Sequence, residues 1–436
     1  MNSGQRNPQP SPAAAGSLAA PAAGARTAAA ARLPQPVAGL VGNRDFRLLW
    51  AIGVVVFAVR WLEMLVVGVF VYQHTGSAFD VSLMTLLRML PMALFGALIG
   101  AAAERLERRC ALALVILSML ATSLCLALLA YVGKLAVWHL AVASFCNGVA
   151  WAADNPVRRV MIGEVVGPER MGAAMSVDVG ANNASRMLGP TVGGMLLVGV
   201  GIAGAFTVSV VCYTLALAAA LAVRHKNQLH PGAAAGAVLA RIIEGFLLVR
   251  DDPRLIAILL ITVVYNVFGW PFTAMIPVIG QDNLHLGAGG IGLLASMDGI
   301  GAFCGALAIA MFARPRHYAR LYIGGVGAYL AMLILFALVP SVSLAGAALL
   351  LTGLSSSGFS VMQATLIYLS APPAMRSRLY GVLSVCIGSG PIGFFGLGLL
   401  AEAIGAPAAT ALTGALGILV LVATIPWWRR LAGAYS

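Results

Sequence analysis

Apolar residues in this chain do not alternate with polar ones. They run on for about the 20 residues that a helix, rising about 1.5 Å per residue, needs to cross a hydrocarbon layer about 30 Å thick. Twelve such windows occur, roughly 48 to 72, 81 to 103, 110 to 132, 137 to 157, 172 to 198, 203 to 223, 255 to 278, 288 to 312, 321 to 339, 344 to 368, 379 to 401 and 408 to 427. They predict an all-α polytopic membrane protein of twelve transmembrane helices, six on each side of a polar connection from Arg224 to Arg254. Gly and Pro inside several windows are compatible with this, because both are commoner in membrane helices than in soluble ones.

The pattern divides the chain into a disordered cytosolic tail (1–43), an N-terminal six-helix half (44–224), a cytosolic linker (225–254) and a C-terminal six-helix half (255–436). In the linker, Arg241, Glu244 and Arg250 recur at helical spacing among apolar pairs, which suits an amphipathic helix lying on the membrane surface. The halves also resemble each other. Gly96-Ala-Leu-Ile recurs as Gly305-Ala-Leu-Ala, and Glu169-Arg-Met-Gly-Ala-Ala-Met-Ser176 aligns with Ser377-Arg-Leu-Tyr-Gly-Val-Leu-Ser384 at nearly the same offset. Concordant offsets at equivalent positions point to a duplicated pair of six-helix repeats.

Composition narrows the class further. Of 436 residues 60% are apolar and 10% charged, against about 25% charged in a soluble domain. A net charge of +12 would suit nucleic acid, but its placement argues otherwise: 23 of the 27 Lys and Arg fall in the tails and in alternate connections, and the opposite connections hold only Lys134. Positive charge accumulates in cytoplasmic loops. Both termini are therefore expected in the cytoplasm, the protein in the cell inner membrane, and its environment the lipid bilayer with no nucleic acid. Six scattered cysteines without a C-x-x-C spacing predict neither a disulfide nor a metal site.

The remaining bases, Arg60, Arg88 and Arg186, fall inside spans. A base at mid-helix costs about 2.5 to 3.5 kcal/mol, so each is expected to face a cavity or a partner. Glu63 lies three residues after Arg60 on the same helical face, so the two could form a structural ion pair; Arg88 is shallower and could reach the external interface. Asp178, Asn182 and Arg186 are spaced by four and form one polar stripe, although Asp178 is near enough to the cytosol to pair with Arg158 or Arg159. Asp298 sits in the middle of the eighth window with no base near it in sequence. A carboxylate buried there would tend to bind a proton. These seven, Asp298, Glu63, Arg60, Asp178, Asn182, Arg186 and Arg88, are the candidate transport and coupling residues. Asn266, Trp270, Phe359 and Gln363 could line a ligand site or simply pack.

Three motifs resemble those of the major facilitator superfamily. Gly100-Ala-Ala-Ala-Glu104-Arg105-Leu-Glu-Arg108-Arg109 resembles its loop signature G-x-x-x-D-R-x-G-R-R, with Glu104 for the aspartate and Glu107 for the second glycine. Ser185-Arg-Met-Leu-Gly189-Pro190-Thr-Val-Gly193-Gly194 resembles the G-x-x-x-G-P-x-x-G-G motif of the family's exporters, and Pro373-Ala-Met-Arg376-Ser-Arg378 a turn of its siderophore-exporter-like, or enterobactin-exporter-like, branch. The mid-helix arginine that many drug antiporters carry in the fourth span is missing from Phe145-Cys-Asn-Gly-Val-Ala-Trp151.

The resemblance implies a proton-coupled exporter of a small organic molecule, siderophore-like or drug-like, working by alternating access. It also implies a monomer without cofactor, and a cytosolic gate in which Glu104 latches Arg158. An uptake symporter or lipid transporter of the same fold is the alternative. A membrane enzyme or receptor is a more distant one, because no catalytic triad, His pair or metal-ligand cluster occurs. No G-x-x-x-x-G-K-[S/T] nucleotide loop is found either.

Overall fold

The computed structural model describes residues 40, 42–104, 107–167, 169–224, 244, 247, 249–250, 252–370 and 375–428, with the side chains of 97–104 and 376–378 outside that description. Most of the expected tail and of the amphipathic linker helix, and the side chains of Glu104, Arg105, Arg376 and Arg378, therefore lie outside the described residues. Among the described residues the chain is helical throughout. The helices are α1 (Arg44–Thr75), α2 (Ala78–Glu104), α3 (Arg108–Tyr131), α4 (Val137–Val166), α5 (Met171–Ala222), α6 (Pro253–Val264), α7 (Met275–Asp282), α8 (Ala288–Phe312), α9 (Tyr318–Leu338), α10 (Val342–Ser370), α11 (Arg376–Ile387), α12 (Gly390–Ile404) and α13 (Ala406–Ala423).

Local chemistry sets the helix ends. Asn43 Oδ1 accepts from the N–H groups of Asp45 (3.0 Å) and Phe46 (3.2 Å), so α1 begins with two of its orphan donors satisfied. It ends at Gly76, whose φ of 65° lets its N–H reach back to Tyr72 O. Asp252 likewise accepts from Arg254 N at 2.9 Å, and Pro253 opens α6 where no donor is needed.

The boundaries depart from the apolar windows in two places. The fifth and sixth windows are two helical segments, together α5, that meet at a break at Gly201, with φ 67° and ψ −175°. There the chain folds back on itself. Asp45 at the start of α1 accepts from Arg224 N just past the end of α5, while Asp178 near the beginning of α5 lies beside Gly53. Both ends of α5 thus meet the same end of α1, and a non-Gly residue would resist the backbone that permits the reversal.

The seventh window is α6 and α7 joined by a π turn (Tyr265–Gly269) and a 3-10 turn (Trp270–Ala274) containing Pro271. Proline cannot supply the helical N–H, and such irregular backbone at membrane depth is tolerated where it is buried in protein or lines a cavity. The eleventh window breaks at Gly388–Ser389, just before Pro391 in α12.

Ten helices among the described residues are long and apolar enough to cross a membrane. The 30-residue α4 is not among the ten; it carries Asp154, Arg158, Arg159 and Glu164. Large apolar side chains such as Leu94, Leu128, Val198, Phe312, Leu338 and Ile392 point outward, as a lipid solvent requires. Many hydroxyls inside the helices bond to their own backbone, as where Thr352 Oγ1 donates to Ala348 O at 2.8 Å.

Two packed seams join the N-terminal helices to the C-terminal ones. Along α5 and α8 the backbones nearly touch. A Cβ on Gly292 would collide with Pro190 O, one on Gly194 would lie 2.5 Å from Ala288 O, and one on Gly299 would lie 2.6 Å from Arg186 O. Small residues at such a seam let dispersion and weak polar contacts take the place of the hydrophobic drive that lipid cannot supply. Along α2 and α12, a Cβ on Gly398 would fall 2.9 Å from that of Ser82.

Candidate functional site

A cavity opens beside the α5–α8 seam. Trp61, Met64, Leu65 and Gly68 of α1, Val81, Met84 and Thr85 of α2, and Arg186 and Pro190 of α5 form one wall. The irregular turn and α7 add Thr273, Ala274, Ile276 and Pro277, and α8 adds Ala295 and Asp298. The discontinuity of the seventh window is what brings Thr273 and Ala274 to this wall.

At its floor the Arg186 guanidinium meets Asp298. Its Nε donates to Asp298 Oδ2 at 3.1 Å and its terminal nitrogen donates to the same oxygen. This pair spans 112 residues of sequence. Beside it Thr191 N donates to Ser296 Oγ at 3.1 Å and the two hydroxyls sit 2.7 Å apart. Asp298, for which the sequence offers no nearby base, therefore has one in space, contributed by α5.

The remaining members of the polar stripe are partitioned rather than pooled. Asn182 Oδ1 accepts from Arg60 at 2.8 Å, and the Arg60 guanidinium lies 4.8 Å from the Trp151 ring centre and 5.2 Å from that of Trp61. This arrangement satisfies a buried cation partly by ring quadrupoles. Asp178 is fully buried and receives Arg158, with Arg159 Nε at 3.2 Å on its other oxygen. A second carboxylate, Asp154, accepts from Arg158 Nε at 3.4 Å.

These contacts decide between alternatives that the sequence left open. Arg60 and Glu63 share a helical face but not a partner: Glu63 Oε1 accepts from Ser123 at 2.8 Å and Oε2 from Asn147 at 3.4 Å. Arg88, a transport candidate that could also have reached the external interface, is buried at 6% exposure, with its Nε lacking a hydrogen-bond partner among the described residues.

Sequence reasoning missed Asp154, Asn147 and Ser123. Only Asp154 carried a signal, since Asp154 and Arg158 stand four apart on α4.

The rest of the predicted positions are placed as follows. Arg158, the expected partner of Glu104, is held by Asp154 and Asp178. Arg108 pairs with Glu164, and Arg109 donates to Leu221 O. Gly189 and Gly193 pack within the N-terminal helices, where added Cβ atoms would lie 2.6 Å from Trp61 Cβ and 2.9 Å from Leu62 O. Gly194 faces α8 instead, and Gly100 lies in α2. Asn266 donates to Thr262 O and Gln363 to Thr262 Oγ1, while Phe359 stacks on Tyr265 at 3.7 Å and Trp270 meets Phe394 edge-on; these four pack against neighbours. Among the described residues there is no cluster of His, Cys, Asp and Glu fit to hold a metal ion.

At the end of the bundle away from Arg44, polar contacts cross between the two sets of helices. Tyr72 donates to Asp282, and Glu402 accepts from Ser77 Oγ at 3.1 Å and Phe79 N at 3.4 Å. A polar recess lined by Tyr72, Asp282 and Glu402 lies outside the central cavity.

A chain of apolar helices with a cleft at a glycine-lined seam matches one family over most of its length: residues 49–394 correspond to the Major Facilitator Superfamily. The chain belongs to that superfamily. It is a multi-pass membrane protein.

Multidrug efflux pump Tap of Mycolicibacterium fortuitum is 26% identical over 367 residues, covering 81% of this chain and 86% of that protein. Macrolide efflux protein A of Streptococcus pyogenes is 23% identical over 249 residues, 55% of this chain. The match spans only 60% of that macrolide protein's length.

Among solved structures, an inward-facing, unoccupied bacterial homolog of the lysosomal transporter Spinster superposes with a TM-score of 0.68 at 15% identity, over 90% of this chain and 97% of that one. A POT family transporter in complex with 5-aminolevulinic acid gives 0.72 at 14% identity, over 89% and 96%. Likeness at such low identity establishes the fold.

Proposed function

We propose that this superfamily member is a proton-coupled exporter of small amphiphilic organic molecules, with Asp298 as the proton carrier. The observation that carries the proposal is the Arg186–Asp298 pair, which joins the N-terminal and C-terminal helices on the wall of a largely apolar cavity. When Asp298 takes up a proton, the charge that holds Arg186 is lost, and the two sets of helices lose their one buried ion pair among the described residues across this seam. A proton thereby biases a two-state element, which is what coupling requires.

Export is supported by the efflux relatives and by the Gly189-Pro190 motif on the α5 seam. The apolar lining supports drug-like amphiphiles, and the Pro373 to Arg378 turn supports the siderophore-exporter-like branch. Counting the folded α5 twice and adding α4 to the other membrane-capable helices brings the crossings to twelve, arranged as two six-helix halves. The distribution of arginines then puts both termini in the cytoplasm and the chain in the inner membrane. One chain supplies every wall of the cavity, so a monomer suffices. Glu104 and Arg158 are assigned the cytosolic gate, with the positive N-terminal end of the eleventh helix as a further site for the carboxylate.

The test compares Asp298→Asn with the parent protein in proteoliposomes. Flux driven by a proton gradient should vanish while gradient-free exchange of labelled substrate survives. Undiminished driven flux would move the carrier to Glu63 or Asp178.

A further inference from the structure

The arginines at membrane depth are not answered alike. Arg158 and Arg159 meet Asp154 and Asp178, and Arg186 meets Asp298. Arg60 has no carboxylate within ion-pair distance among the described residues, and Glu63, its neighbour on the same face, is held by Ser123 and Asn147. A guanidinium carries a rigid fork of N–H donors. That of Arg60 spends one bond among the described residues, on the uncharged Oδ1 of Asn182 at 2.8 Å. The rings of Trp151, Trp61 and Phe57, centred 4.8, 5.2 and 5.5 Å from its central carbon, ease the cost of the charge without taking up a donor.

The unspent donors are accessible. Buried nitrogens without a partner occur in Arg88 and Arg158 but not in Arg60, which is half-buried and keeps accessible surface on its remaining nitrogens. Trp61 ties this position to the central cavity: it lines that cavity, and its ring centre lies 5.2 Å from the Arg60 guanidinium and 5.7 Å from that of Arg186. Arg186 itself is a poor seat for an anion, because binding there would strand the buried carboxylate of Asp298. At Arg60 there is no pair to break.

We propose that Arg60 is the anion-recognising group of the transport site and that the cargo is an amphiphilic carboxylate. This deepens the exporter reading and rests on it. Two parallel N–H bonds from the Arg60 fork match the two oxygens of a carboxylate. The apolar body of the ligand then lies along Trp61 towards Met64, Leu65, Met84 and Ile276 of the cavity wall. Burying that body supplies affinity for any amphiphile of the right size, while the fork selects the anion.

The experiment is equilibrium dialysis of the full chain in detergent with naphthoate and with naphthamide, which share ring and size and differ in charge, each corrected for uptake by protein-free micelles. It is run on the parent, on Arg60→Gln and on Asn182→Asp. The last keeps Arg60 and fills its fork with a fixed carboxylate, so the test stands if Arg60→Gln fails to fold. In the parent naphthoate should bind tighter than naphthamide by on the order of ten-fold or more, the size of hydrogen bonds to a charged group. That preference should vanish in both variants while saturable binding of naphthamide persists. Equal binding of acid and amide by the parent, saturable binding of neither, or a preference that survives the variants and so seats the anion elsewhere would overturn the proposal. Proton-gradient-driven flux tests the exporter reading separately: a protein that couples but shows no preference for the acid keeps that reading and loses this one, and one that prefers the acid without driven flux does the reverse.

Discussion

Two buried carboxylates, Asp178 and Asp298, each meet an arginine inside this bundle, yet their surroundings differ. Asp178 is fully buried and has both oxygens engaged, by Arg158 and Arg159, while Arg158 also holds Asp154. All four side chains come from α4 and α5. Asp298 receives Arg186 on one oxygen only, from a helix on the other side of the seam, and its second oxygen is buried beside a cavity. A charge surrounded on all sides by partners of its own subassembly is scaffold. A charge with one partner across a movable seam, and one oxygen to spare, can be switched.

The comparison can be broken most severely at Gly53. A Cβ there would lie 2.8 Å from the Arg158 guanidinium carbon and 3.2 Å from Asp178 Oδ1, so α1 leaves room for the arginine only because it has glycine at this point. Gly53→Leu should displace Arg158, and a buried ion pair deprived of one partner costs about 3–5 kcal/mol. The expected outcome is loss of monodisperse protein on gel filtration; a folded, active variant would show that the Asp154, Arg158 and Asp178 contacts are dispensable.

A milder pair of substitutions sharpens the contrast. Asp178→Asn should lower the melting temperature in detergent markedly, because Arg159 loses its carboxylate contact and Arg158 keeps only Asp154. Asp298→Asn should lower it much less while changing transport more. Equal losses of stability would erase the distinction between scaffold and switch.

The smallest effect is expected at the far end of the seam. Glu402→Gln mimics the protonated side chain and weakens its bonds to Ser77 and Phe79 N, which are part-exposed and worth little individually. Spin labels at Gly76 and Pro407 should report a modest rise in the separated population. An unchanged distance distribution would mean that the Tyr72–Asp282 contact holds this end alone.

Several features of the site were legible before any coordinate. The four-residue spacing of Asp178, Asn182 and Arg186 puts them along one side of a helix, and the glycines of the α5 motif announce close packing. Legibility stops at the question of who meets whom. Arg60 and Glu63 share a face, but a helix surrounded by neighbours on every side sends adjacent residues to different partners, Asn182 for one and Ser123 with Asn147 for the other. Gly53 is unremarkable in sequence, and its role emerges only when Arg158, from another helix, fills the space beside it.

What the sequence by itself determined is that the chain is a bundle of membrane-crossing helices and which residues lie at membrane depth. Both follow from local quantities, the length of apolar runs and the positions of charges within them, and they hold whatever the helices pack against. Which charges neutralise one another, and which oxygen is left free, only the tertiary structure decided. Arg186 and Asp298 lie 112 residues apart. Their meeting depends on the rotation of two helices about their axes and on glycines that let the backbones approach, and no local pattern encodes such relations between distant segments.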